Sequence, residues 1–160
     1  MTSSSSRTII LKNSDGHAFD IEETAAHLSL TIKQTIQQDP SKTIIPVPRV
    51  NAQTLSKIID YCRKHVTDKD NKEALKSFDV EFVEEMNEVT LTYVSNAARV
   101  MGIESLHVLV SKVLGDRLRG KSVEEMCRIF SIDDRLKSIF EALLCYQDHL
   151  TEYLPQCLID

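Results

Sequence analysis

Apolar positions in this chain begin with a two-residue period and soon change to a helical one. Arg7 to Lys12 is a β-branched run, Asn13-Ser14-Asp15-Gly16 is a turn signal, and His17 to Glu22 alternates with Phe19 and Ile21 on one face. Together they predict a β-hairpin. Glu22 to His27 reads as a short helix. A second helix follows through Gln38, capped by Ser29 or Thr31, with Ile32 and Ile36 as its apolar pair. Lys42 to Ile45 reads as a short strand, after which Pro46-Val47-Pro48 must run extended, because proline disfavours helix at the residue before it. Asn51, a good N-cap, opens a long helix to about Val66. Leu55, Ile58, Ile59, Cys62 and Val66 form its single apolar stripe. The pattern predicts a small α/β module with helices stacked on a sheet.

Thr67 to Ser77 is polar and charge-rich and reads as a surface loop, with a short helix starting at Phe78. Leu91, Val94, Ala98 and Met101 mark the next helix, which Gly102 ends. Ile103, Leu106, Val110, Val113 and Leu114 carry another to Arg119. Gly120 then stops one helix and Ser122 starts the next. Glu125 stands three residues after Ser122, the spacing of a capping box. Val123, Met126, Ile129 and Phe130 follow at helical spacing. This short helix shows more apolar surface than its own length can hide, which suits an interface completed by another chain. Leu136, Ile139, Phe140, Leu143, Leu144 and Cys145 predict a further amphipathic helix.

Composition narrows the function. Of 160 residues 42% are hydrophobic and 27% charged, an ordinary globular balance. The net charge of −5 argues against a nucleic-acid partner, which calls for a concentrated basic face. No apolar run approaches the ~20 residues that span a bilayer, so no membrane role is expected. Residues 1–7 read as a disordered tail. Cys62, Cys127, Cys145 and Cys157 each sit among apolar residues and form no Cys-x-x-Cys pair. They read as buried hydrophobes in a reducing compartment.

Candidate chemistry is sparse. The five histidines are scattered, with no i, i+4 metal spacing and no neighbouring nucleophile. Asp68-x-Asp70 lacks the glycine and the closing glutamate of a calcium loop. Gly115 to Ser122 does match Gly-x-x-x-x-Gly-Lys-Ser, but Gly115 to Arg119 continues a helical pattern where a P-loop would follow a strand. Glu125 is committed to the cap, which leaves Glu124-Glu125 a poor catalytic pair. No cofactor, metal or catalytic residue is expected.

Several motifs, in order, resemble the Skp-type adaptor family. Gly120-Lys121-Ser122, Glu124-Glu125-Met126 and Phe130-Ser131-Ile132 match its F-box-binding half. Ile10 to Gly16, Thr31-Ile32-Lys33, Ile45 to Val50, Tyr61 to His65 and Phe78 to Phe82 match earlier landmarks, so the similarity covers about residues 8–132. The resemblance implies a BTB/POZ fold, mostly helical with a small sheet, over residues 8–101 (loop about 67–77), and a helical F-box-binding extension over residues 102–160.

The same resemblance implies a non-enzymatic adaptor of a cullin-RING ubiquitin ligase, resident in nucleus and cytoplasm. It would link F-box proteins to a cullin scaffold and, through that, to a RING subunit. The implied F-box face comprises Leu114, Leu118, Gly120, Lys121, Met126, Ile129 and Phe130, with Ile139, Phe140 and Leu143 from the last helix. The implied cullin face is Ala98, Arg99, Val100 and Met101. Here the chain departs from its relatives, most of which carry Asn-Tyr-Leu where Arg99-Val100-Met101 stands. Val123 also replaces the usual proline, and beyond Asp134 the resemblance ends. The departures leave open a diverged module that holds F-box proteins, or itself, without reaching a cullin.

Overall fold

A computed structural model describes residues 6–131 of the chain. Its elements are, in order, β1 (Thr8–Asn13), β2 (Ala18–Glu22), α1 (Glu23–Ala26), α2 (Leu30–Gln38), β3 (Ile44–Val47), α3 (Ala52–Thr67), α4 (Lys72–Glu84), α5 (Glu88–Met101), α6 (Glu104–Leu118) and α7 (Val123–Ile129). The first five residues of the expected tail and the expected helix of Leu136 to Cys145 lie outside the described residues.

The sheet has the order β2-β1-β3. β1 pairs antiparallel with β2, Ile9 opposite Ile21 and Leu11 opposite Phe19, and parallel with β3, Leu11 beside Ile45. The hairpin turn is fixed by Asn13, whose side chain accepts from the His17 amide at 2.8 Å, and by Gly16 at φ +83°. β3 begins and ends two residues later than expected and takes in Pro46. It pairs on one side only, so the missing proline N–H breaks no ladder.

The chain divides into two compact units, residues 1–117 and 118–160. In the first, Ile9, Leu11, Ile21, Leu55, Ile58, Leu91, Val94, Leu106 and Val110 form the centre of one apolar core. That core takes in Ile103, Leu106 and Val110, so the unit runs through most of α6 instead of stopping at Met101.

The charged stretch 67–77 is not a long loop. Helix α4 already begins at Lys72, because the Asn71 side chain accepts from the Ala74 amide at 3.1 Å and closes the first turn. Phe78 and Phe82 of α4 lie against Tyr61 and His65 of α3, with ring centroids 5.7 Å apart for Tyr61–Phe82 and 6.2 Å for His65–Phe78. His65 Nε2 meets Asp79 at 2.7 Å across the same contact. The far end of α4 is held by Arg117 of α6, whose guanidinium donates to the carbonyls of Met86 at 2.5 Å and Val83 at 2.9 Å. Burial pushes the Tyr61 hydroxyl and the Cys62 thiol each up to about 12, which keeps both neutral and the thiol unreactive at physiological pH.

Candidate protein-docking faces

The end of α5 is locked to the start of α2. Ser29, the N-cap of α2, accepts from the Ile32 amide at 3.2 Å and donates its hydroxyl to the Met101 carbonyl at 2.5 Å. The Leu30 amide reaches the Gly102 carbonyl at 3.2 Å, and the Thr31 hydroxyl the Val100 carbonyl at 3.2 Å. The unsatisfied donors of one helix start thus meet the unsatisfied acceptors of another helix end. Gly102 makes the approach possible. Its φ is +68°, and a Cβ there would stand 3.1 Å from the Leu30 Cβ.

This lock sorts the four residues expected at one interface. Ala98 is 0% and Met101 4% exposed, both in the core, although Met101 also lines the cavity beside Val100. They belong to the inward stripe of α5 with Leu91 and Val94. Arg99 and Val100 face outward, Val100 at 42% exposure beside a cavity of about 140 Å³. Sequence reasoning missed the opposite wall of that cavity, the extended run Ile45 to Pro48. The Pro-x-Pro spacing signalled an extended segment, but nothing local placed it against α5.

The second expected face lies around α7. Gly120 takes φ +76° after α6, and Ser122 then begins α7 with a complete capping box. The Ser122 hydroxyl accepts from the Glu125 amide at 3.2 Å, and the Glu125 carboxylate accepts from the Ser122 amide at 2.7 Å. That backbone hydrogen bond, with the hydroxyl contact, holds the Glu125 carboxyl below its ordinary range. On α7 Cys127 is buried, whereas Met126 and Ile129, and Phe130 just after, are only half-buried. Lys121 and Leu118 are likewise half-buried, and Gly120 is exposed. Leu114 belongs to the first unit, where it packs on the core. Ile139, Phe140 and Leu143 lie outside the described residues.

Gly115 sits inside α6, so the Gly-x-x-x-x-Gly-Lys-Ser match lacks the strand-to-helix loop that cradles phosphate. No group of three or more metal-ligating side chains occurs among the described residues.

Residues 7–67 match the model of the Skp1 family, tetramerisation domain. SKP1-like protein 4 of Arabidopsis thaliana is 40% identical over 138 residues, covering 79% of this chain and 84% of the relative. This chain belongs to the Skp1 family. SKP1-like protein 14 of the same plant is 33% identical over 130 residues, covering 81% of this chain and 87% of its own, and SKP1-like protein 1 of Oryza sativa subsp. japonica is 34% identical over 146 residues. The exposed Val100 at the one candidate face and the half-buried Met126, Ile129 and Phe130 at the other suit association more than bond chemistry.

Proposed function

We propose that this Skp1-family chain is the adaptor of an SCF-type ubiquitin ligase. Its second unit holds an F-box protein, and the Arg99–Val100 edge of its first unit meets a cullin that carries the RING subunit. The assembly brings substrates to the ubiquitin-loaded enzyme for degradation, in nucleus and cytoplasm. The chain's contribution is positioning, with no residue making or breaking bonds. The observation that carries this reading is the likeness to SKP1-like proteins across about four-fifths of the chain. The capped helix with Met126, Ile129 and Phe130 half-buried supports the F-box side.

The test is co-purification of the full chain with an F-box peptide, followed by addition of a cullin N-terminal domain. A ternary complex is expected. A second reading, a module that holds F-box proteins without a cullin, is favoured by the cation and small aliphatic group at Arg99-Val100. It predicts a binary complex that ignores the cullin.

A further inference from the structure

We propose that the seam between residues 45–51 and helix α5 is a docking channel for an acidic segment of the scaffold partner, with Arg49 as the charge-selecting residue. The proposal rests on the reading that a cullin meets the Arg99–Val100 edge, and it specifies the chemistry that scaffold must present.

Two separate cavities lie along this seam. One, of about 140 Å³, is lined by Pro46 and Pro48 of the extended run, by Thr31 and Thr35 of α2, and by Val100 and Met101 at the end of α5. At roughly 30 Å³ per water it has room for about four or five waters, or for one large aliphatic side chain. The other, of about 170 Å³, lies between Arg49 and Val50 on one side and Tyr93 and Ala97 on the other. Tyr93, Ala97 and Val100 fall at i, i+4 and i+7 on α5, so one helix stripe runs past both openings. Tyr93 is 56% exposed and Val100 42%, which leaves a ring and an aliphatic group uncovered along the channel.

The charge along the seam is one-sided. No carboxylate lines either cavity, although the chain as a whole carries −5. Lys42 lines the first, Arg49 lines the second, and Arg99 precedes Val100. Among the described residues neither Arg49 nor Arg99 forms an ion pair. Asp39 feels the charge of Lys42 and so offsets it in part, and Asp15 accepts from the Ala52 amide and the Asn13 side chain, which leaves Arg49 and Arg99 as the cations that set the sign of the seam. An acidic segment carrying one apolar anchor complements both the cations and the cavity.

The backbone fixes Arg49 in place. Pro48 precedes it and its φ is +64°, a left-handed conformation that glycine or asparagine ordinarily takes. Arginine holds a strained backbone conformation there, a feature that clusters at binding sites.

The experiment is calorimetric titration of the full chain, bound to an F-box peptide, with a cullin N-terminal domain at low and high salt. Arg49→Gly is expected to weaken binding five- to tenfold at low salt and to narrow the difference between the two salts. Glycine accepts φ +64° freely, so the thermal midpoint should hold or rise, and a folding defect cannot mimic the loss. Arg49→Lys is expected to bind within twofold of the unaltered chain. Arg49→Gly binding as the unaltered chain does, or Arg49→Lys losing as much as Arg49→Gly, overturns the proposal and leaves the cullin reading intact. An unaltered chain that does not bind the cullin overturns both.

Discussion

Ser29 and Met101, 72 residues apart, share a 2.5 Å hydrogen bond from the buried hydroxyl to the main-chain carbonyl. The same oxygen caps α2 through the Ile32 amide. Ser29→Ala removes the cap and leaves the Met101 carbonyl without this donor in a site where Ser29 is 1% exposed. A loss of about 1–3 kcal/mol is expected. Urea unfolding of the alanine variant checks it, and a midpoint equal to that of the unaltered chain would show that the contact carries no stability.

Gly102 faces the same joint. Its φ of +68° costs an L-residue about 1–2 kcal/mol. The added Cβ would also press on Leu30 at 3.1 Å, so Gly102→Ala should lower the thermal midpoint further than a surface Gly→Ala such as Gly115→Ala, where nothing lies within 4 Å and the backbone is helical. On the proposed function, Gly102→Ala should also weaken cullin binding by shifting Val100, with F-box binding retained. Paired titrations with the two partners read the difference.

The capping box gives α7 a pH dependence of known sign. The Glu125 carboxyl is held below its ordinary value of 4.5, so its contribution is fully present above that pH and fades as the pH falls through the lower folded value. Glu125→Gln keeps an acceptor for the Ser122 amide but removes the titration. F-box affinity, followed downward from pH 6, should decline for the unaltered chain before it does for the glutamine variant. Parallel curves would show that the carboxylate does not support the binding helix.

Phe130 follows the last turn of α7 and is half-buried. Phe130→Ala is expected to weaken F-box binding by about 2 kcal/mol, roughly thirtyfold, as removal of a central aromatic anchor does. Circular dichroism should show the helices retained. Unchanged affinity with an intact fold would take Phe130 out of the interface.

Much of this architecture was legible because its signals are local. Asn51, Gly102, Ser122 and Gly120 mark helix boundaries by their own backbone chemistry, and the structure places helix ends beside each of them. What escaped was set by distant groups. The charged run before Phe78 looks like a loop until Asn71 caps it and the α4 rings settle on Tyr61 and His65. Ala98 and Met101 satisfy a core stripe and a surface motif equally well in sequence, and only burial separates them from Arg99 and Val100. Arg49 carries no residue-type signal for a positive φ, and its alignment with Tyr93 depends on how β3 enters α3.

The central position of β1 bears on how the chain is made. Its pairing with β2 needs only the first 22 residues, but its parallel pairing with β3 must wait until residue 47 has emerged. The β1–β3 edge therefore stays open while α1 and α2 are synthesised. Even then α2 lacks its Met101 acceptor until α5 is complete. A ribosome-bound chain halted before residue 101 should stay sensitive to protease across α2, and protection should arrive in a single late step once α5 and the core residues Leu106 and Val110 of α6 have emerged.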